Sequence, residues 1–148
     1  MSTPPCKELL LDNQLCFALY STSLMMTKVY KPLLQELGLT YPQYLAMMVL
    51  WEGDGITVGE ISNRLLTDPG SLTPLLKRLE AEGLITRTRS SKDERVVELR
   101  LTEQGRALQE KAKTVPACII AASERSTEQL GSLKDELVSL RSSLGKAV

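Results

Sequence analysis

Apolar residues between positions 57 and 83 recur at the spacing of helices, and the pattern is interrupted once, at Thr67-Asp68-Pro69-Gly70. We therefore predict two short helices joined by a tight turn. The apolar positions, three, four or seven residues apart, are Val58, Ile61 and Leu65 in the first helix and Leu72, Leu75, Leu76 and Leu79 in the second.

Polar residues at the helix ends support these boundaries. Thr57 and Glu60 have the spacing of a capping box, which satisfies free amides at a helix start. We expect Ser71 to cap the second helix, because Pro74 then falls in the first turn, where an amide has no partner within the helix. Gly83 is expected to end this helix.

The segment after Gly83 has the pattern of a β-hairpin. Two arms rich in β-branched and apolar residues flank a polar tip at residues 90–94. Between positions 84 and 100, five basic residues face three acidic ones: Arg87, Arg89, Lys92, Arg95 and Arg100 against Asp93, Glu94 and Glu98. Two helices, a turn and a basic hairpin, in this order, predict a winged helix-turn-helix over residues 57–101.

The second helix has a polar face suited to a DNA major groove. With the leucines turned inward, it presents hydroxyls, an apolar ring and two cations, namely Ser71, Thr73, Pro74, Lys77 and Arg78. Such groups can contact phosphates, base edges or a thymine methyl. An ordinary amphipathic helix would look similar, and it is the hairpin, with Arg87 and Lys92, that favours binding to double-stranded DNA.

Composition restricts the function without selecting it. The chain has 148 residues, 18 basic and 18 acidic, so any affinity for nucleic acid must come from local placement of charge. It contains no histidine, which excludes Ser-His-Asp and Cys-His catalysis and histidine-ligated zinc. Residues 53–55, Gly-Asp-Gly, are interpreted as a turn between helices. We expect a cytoplasmic protein that is not an enzyme and has no membrane segment, no metal and no cofactor.

The segments outside the winged unit are predicted to be helices that mediate dimerisation, at residues 12–37 and 102–148. Asp12 is expected to cap the first, which Gly38 closes, and a buried helix follows at residues 41–52 with Thr40 as its cap. A long helix is predicted from Thr102 towards Ala122. After a capping box at Ser126, leucines recur at heptad-like spacing, at positions 130, 133, 137, 140 and 144.

These leucines could pack within a monomer, but a second copy of the chain is the favoured partner. A dimer would place two recognition helices about 34 Å apart, so we expect a near-palindromic operator.

The hairpin and the helix after it resemble the MarR-type winged-helix transcription factors. The similarity lies in Asp93-Glu94-Arg95, followed by Leu99-Arg100-Leu101-Thr102-Glu103-Gln104-Gly105, and extends over nearly the whole chain. It implies a mainly α (α+β) fold, a single domain over residues 1–148, and a wing tip in which Asp93 and Arg95 lie at the DNA, with Arg95 in the minor groove.

The N-terminal half is similar to the organic-hydroperoxide-sensing repressors of that family, the OhrR type. Residues 11–20 and 39–44 carry the similarity. It implies that Cys16 is the oxidised sensor, that Tyr30 and Tyr41 donate hydrogen bonds to it across a homodimer, and that oxidation by organic hydroperoxides releases the operator and derepresses peroxide-resistance genes.

The chemistry of Cys16 agrees with this role without establishing it. No cation flanks the residue, although a helix N-terminus favours a thiolate. A sulfenic acid formed there could condense with another thiol. Cys118 is the candidate resolving thiol and Cys6 the second, but the usual resolving position of the OhrR type corresponds to Ala121, so the Cys16–Cys118 pairing is a hypothesis.

Three other functions remain open. A MarR-type regulator could instead respond to a small aromatic effector bound between the dimerisation helices and the winged domain. A thiol peroxidase would turn over peroxide at Cys16, although the absence of histidine argues against it. A winged-helix protein-interaction module would show no salt-dependent affinity for DNA.

Overall fold

A computed structural model of the chain describes residues 3–148. Its seven α-helices are α1 (Leu15–Gln35), α2 (Tyr41–Glu52), α3 (Val58–Leu65), α4 (Pro69–Ala81), α5 (Glu103–Ala112), α6 (Val115–Ser123) and α7 (Thr127–Lys146). Its three strands are β1 (Ile56–Thr57), β2 (Ile85–Arg89) and β3 (Val97–Leu101). The chain forms two compact units that divide after Ala112. In the described part, no helix is both long and apolar enough to cross a membrane.

The strands form one antiparallel sheet in the order β1-β3-β2. Strands β2 and β3 form the predicted hairpin, with Ile85 opposite Leu101 and Arg89 opposite Val97. Strand β1 was not predicted, because two residues are too few to show the alternation of a strand. It follows the Gly53–Gly55 turn, where the Gly55 amide already donates to the Leu99 carbonyl at 2.7 Å.

Helices α3 and α4 follow β1 and form the helix-turn-helix that the periodicity predicts. Their inward residues Ile61, Leu72, Leu76 and Leu79 are at most 2% exposed. Leu99 of β3 is fully buried as well. The fold class, mainly helical with a winged helix-turn-helix, is confirmed.

The cap of α3 is confirmed and that of α4 is corrected. Thr57 and Glu60 form the predicted capping box. Helix α4 begins at Pro69, three residues earlier than expected, because the Asp68 carboxylate accepts from the Ser71 amide at 2.8 Å. Pro74 therefore lies inside the helix, where its missing amide leaves the Gly70 carbonyl without the usual donor.

The start of α1 also differs from the prediction. Asp12 is not a cap: it lies in the second of two short 3₁₀ turns, at Lys7–Leu9 and Leu11–Asn13. The Gln14 side chain donates to the Glu8 and Leu10 carbonyls and holds these turns together, so α1 begins only at Leu15. At its other end Gly38, with φ of 72°, closes the helix as predicted.

The long helix predicted after the wing is broken into two. Thr102 accepts from the Gly105 amide and starts α5 as expected, but α5 ends at Ala112. Pro116 has no amide hydrogen to donate to the Ala112 carbonyl, so a separate helix, α6, begins at Val115. The capping box of Ser126 and Gln129 is confirmed at the start of α7.

Candidate nucleic-acid interface and cysteine site

The outer face of α4 is exposed because Leu72, Leu76 and Leu79 are buried on its inner side. Ser71, Pro74, Lys77 and Arg78 are exposed, and Thr73 is half-buried. Both hydroxyls already have partners within the helix: Ser71 Oγ donates to Asp68 Oδ2 at 2.9 Å, and Thr73 Oγ1 donates to the Pro69 carbonyl at 2.8 Å. Their oxygens can still accept, whereas the Lys77 and Arg78 side chains remain available as donors.

The wing tip is ordered by one carboxylate. Asp93 accepts from the Arg95 amide at 3.0 Å and from Arg95 Nε at 3.2 Å. These hydrogen bonds hold the pKa of Asp93 below its usual value. Arg89 donates to the Glu94 carbonyl at 2.8 Å and ties the strand end to the tip. Arg95 nevertheless has a side chain that is 90% exposed, and Lys92 is exposed beside it, so both can reach a ligand.

Arg87 differs from the other wing cations. Its side chain is 23% exposed, and Nε lies 3.7 Å from the Glu80 carboxylate of α4. Nε is also buried without a hydrogen-bond partner. This contact joins β2 to α4, so Arg87 lies between these two elements rather than at their outer surface.

Cys16 is the second residue of α1 and is exposed in the single chain. Because the Gln14 side chain does not cap the helix, the amides of its first turn are available to a negative charge. Apolar side chains surround the cysteine in sequence and are themselves exposed: Leu15 by 58%, Phe17 by 37% and Leu19 by 37%. The helix start thus combines a thiol with an apolar surface.

Tyr30 and Tyr41 lie together where the far half of α1 packs against α2. Their ring centroids are 4.9 Å apart, and Tyr44 lies 6.0 Å from Tyr30. Burial, with the neighbouring tyrosines, raises the pKa of Tyr30 to about 12, so its hydroxyl stays protonated at neutral pH. Burial raises the pKa of Tyr44 as well. The cluster offers phenol donors to an anionic partner.

Cys16 and the tyrosines do not come together within one chain. Fourteen residues of continuous helix separate Cys16 from Tyr30, about 21 Å along a helix axis. The structure therefore places the two predicted parts of the site at opposite ends of α1.

The other cysteines are also free and exposed. Cys6 donates to the Glu8 carboxylate at 3.0 Å in the N-terminal segment. Cys118 lies in the first turn of α6, in the second unit, and not within a long continuous helix as expected.

Two residues that the sequence did not point to lie at the base of the wing. The Asp54 carboxylate accepts from the Leu101 amide at 2.8 Å and from Arg106 at 3.2 Å. Trp51 donates from its indole Nε1 to the Gly105 carbonyl at 2.9 Å. In the sequence, Asp54 belongs to a turn and Trp51 to an apolar run. Their partners lie 47 or more residues away, so no local pattern predicts these hydrogen bonds.

Comparison with known proteins matches this arrangement to regulators of transcription. A family model described as "Transcriptional regulator SarA/Rot" matches residues 28–112. The organic hydroperoxide resistance transcriptional regulator of Bacillus subtilis (strain 168) is 52% identical over 134 residues, which are 90% of this chain and 91% of that protein. This chain belongs to the OhrR-type branch of the MarR family.

Solved structures agree with this MarR-family assignment. AbfR of Staphylococcus epidermidis is 32% identical and superposes with a TM-score of 0.77, covering 95% of this chain and 97% of AbfR. The structure of reduced AbfR bound to DNA is 33% identical with a TM-score of 0.76, covering 93% of this chain and 96% of that one. The matched family model and the Bacillus subtilis relative are both described as transcriptional regulators.

Proposed function

We propose that this MarR-family protein is a homodimeric repressor that binds a near-palindromic operator while Cys16 is reduced and releases it when an organic hydroperoxide oxidises Cys16. The observation that carries the proposal is the division of the site along α1. Cys16 lies about 21 Å along α1 from Tyr30 of its own chain, too far for a hydrogen bond. The phenols of Tyr30 and Tyr41 can reach the thiolate only from a second copy.

The surface of α1 supports such pairing. Its exposed apolar side chains run along much of the helix and include Leu24, Met25 and Met26 at 45–59% exposure in the single chain. Apolar side chains in such numbers are costly to leave in water. If two α1 helices pack antiparallel, each Cys16 lies beside the partner's tyrosine cluster, and the same contact covers the apolar face.

The chemistry needs only the thiol and the peroxide. The Cys16 thiolate attacks the terminal oxygen of ROOH, the O–O bond breaks, and a proton goes to the departing RO⁻, which leaves as the alcohol ROH. Sulfur keeps the transferred oxygen as a sulfenic acid. Phenols with raised pKa, such as Tyr30, stay protonated and can stabilise the thiolate before the reaction. The apolar residues around Cys16 favour an organic peroxide over hydrogen peroxide.

The DNA-facing residues have separate roles. We assign base and phosphate contacts in the major groove to Lys77 and Arg78, with Ser71, Thr73 and Pro74 on the same face of α4. Arg95, Lys92 and Asp93 form the wing tip, where Arg95 reaches the minor groove and Asp93 orients it. Arg87 supports this arrangement from behind through Glu80.

A gel shift with the chain's own upstream DNA tests the sensor. The reduced wild type should bind, and cumene hydroperoxide should raise the apparent Kd at least tenfold. Cys16→Ser should bind equally well and stay bound in the presence of peroxide. The matched variants Cys6→Ser and Cys118→Ser should still be oxidised at Cys16 to the sulfenic acid. Release of Cys16→Ser by peroxide would show that Cys16 is not the sensor.

Non-reducing electrophoresis tests the candidate resolving thiol. If the Cys16 sulfenic acid condenses with Cys118 of another copy, water is lost and a linked dimer appears after peroxide treatment. Cys118→Ser should remove that band, while Cys6→Ser should retain it. A band that depends on Cys6 would instead assign the resolving role to the N-terminal thiol.

A second candidate function is suggested by a cleft of about 490 Å³ in the first unit. Leu37, Leu84 and Leu108 form part of its apolar lining, and Glu36 and Glu82 also line it. A small effector could bind there, beside two carboxylates and the Lys111 ammonium. Such an effector would release DNA from Cys16→Ser as readily as from the wild type, whereas the peroxide response requires Cys16.

A further inference from the structure

Aromatic rings form a continuous line along one side of α2. Tyr41, Tyr44 and Trp51 lie three and seven residues apart, which places them on one face of the helix. The ring centroids of Tyr41 and Tyr44 are 6.4 Å apart, and those of Tyr44 and Trp51 are 6.5 Å apart with an edge-on geometry. The line begins at the Tyr30–Tyr41 pair and ends at the last turn of α2.

The far end of this line is bonded to the base of the wing. Trp51 Nε1 donates to the Gly105 carbonyl at 2.9 Å, and the Gly105 amide donates to Thr102 Oγ1 at 3.0 Å. The Thr102 hydroxyl in turn donates to the Gly83 carbonyl at 2.6 Å, directly before β2. We name Trp51, Gly83, Thr102 and Gly105 the wing-base junction.

The junction has little freedom to slide. A Cβ placed on Gly105 would lie 2.1 Å from the Leu84 carbonyl oxygen, so the start of α5 sits directly against the chain entering β2. The Thr102 amide donates to the same carbonyl at 3.1 Å. Packing this close transmits a displacement of Trp51 to the start of β2 and the end of β3 rather than absorbing it.

Ordinary core packing explains a half-buried tryptophan with a paired N–H. It does not explain why the same ring contacts the tyrosine cluster on one side and closes the wing-base hydrogen bonds on the other. Coupling between two sites needs an element that both of them bias. Helix α2 is such an element, because the first ring of its aromatic line contacts Tyr30 and the last ring is hydrogen-bonded to the base of the wing.

We propose that Trp51 is a positioning residue that couples the state of the tyrosine cluster to the orientation of the wing. This inference rests on the proposed function, because it assumes that oxidation of Cys16 changes the contacts of Tyr30 and Tyr41. A shift of these rings moves Tyr44 and Trp51, the indole bond to Gly105 changes, and the wing with Arg95 leaves its DNA-binding position.

The variant Trp51→Phe keeps an aromatic ring and removes the N–H donor. The measurement is the ratio of operator Kd after and before cumene hydroperoxide, together with the extent of dimedone labelling of Cys16 by mass spectrometry. We expect labelling equal to wild type and a ratio lowered about fivefold, the equivalent of one hydrogen bond. Met48→Leu is the matched control, since Met48 is an exposed apolar residue of the same helix that has neither a ring nor a hydrogen-bond donor.

A second pair of variants tests the junction without altering the rings. Thr102→Val removes the hydroxyl that links Gly105 to Gly83, and Thr102→Ser retains it. The valine variant should lower the Kd ratio as Trp51→Phe does, and the serine variant should restore it. This pair decides the question even if Trp51→Phe does not fold.

Fluorescence gives an independent readout, because Trp51 is the single tryptophan of the chain. Its emission should shift when the wild type is oxidised and stay unchanged in Cys16→Ser. A wild type that keeps its DNA under peroxide would refute the proposed function itself. A wild type that responds, with Trp51→Phe and Thr102→Val responding by the same ratio, would refute only the coupling.

Discussion

Helices α4 and α7 carry similar leucine stripes and differ in what covers them. In α4, Leu72, Leu76 and Leu79 are at most 2% exposed. In α7, Leu133 is 49% exposed and Leu144 59%, and no residue of this fully described helix is buried. A periodic apolar pattern therefore predicts a helix in both cases, but it does not say whether the partner is in the same chain.

The neighbours of each helix explain the difference. Helix α4 packs against α2, α3 and β2, all supplied by the same unit. The second unit consists of α6 and α7 and has fewer than 40 residues, a length at which a chain rarely buries a sufficient core of its own. The stripe of α7 is the kind of surface that a second copy can cover, as the proposed dimer requires.

The largest loss of stability is expected in the buried leucine stripe of α4. Leu76→Ala leaves a cavity in the centre of the winged unit and should lower the free energy of unfolding by about 2–5 kcal/mol, measured by urea denaturation. The matched variant Leu133→Ala, in the exposed stripe, should cost far less at low protein concentration. Equal losses at every concentration would mean that α7 is covered within its own chain, and the contrast between the helices would disappear.

A smaller effect, on dimerisation, is expected from a charge in the exposed leucine stripe of α7. Leu137 is 37% exposed in the single chain, so a dimer would bury the rest of its side chain, and a lysine there would place a charge in an apolar contact. Leu137→Lys should therefore raise the dimer dissociation constant more than tenfold in sedimentation equilibrium. Ser139→Lys adds the same charge on the opposite side of α7 and serves as the control. A dimer that tolerates the lysine at 137 would place the subunit contact elsewhere, for example on α1 alone.

Local signals in the sequence were sufficient for much of the fold. The capping boxes at Thr57 and Ser126 and the closing glycine at position 38 were all predicted, because each depends on residues within one turn of the helix end. Two of the errors arose where two local signals competed. Asp68 displaced Ser71 as a cap, and the 3₁₀ turns held by Gln14 displaced the helix start at Asp12.

The candidate site was harder to predict from the sequence than the fold was. Resemblance supplied Cys16, Tyr30 and Tyr41, whereas nothing in the spacing of these residues showed that they belong to one site. Trp51 was missed altogether, because its partner Gly105 lies 54 residues away and no periodic pattern spans that distance. Contacts of this kind are set by the packing of the whole unit.

The smallest effect on stability is expected at the wing tip, which belongs to neither leucine stripe. The Arg95 side chain is 90% exposed and pairs only with Asp93 in the described chain, so Arg95→Ala should change the free energy of unfolding by less than about 0.5 kcal/mol. Operator binding should nevertheless weaken, and the slope of log Kd against log salt concentration should fall by about one, because one cation near the phosphates is lost. Lys146→Ala, at the end of α7, removes a cation outside the proposed DNA surface and should leave the slope unchanged. If both variants keep the wild-type slope, Arg95 does not contact DNA, and the affinity must come from α4 and the other wing residues.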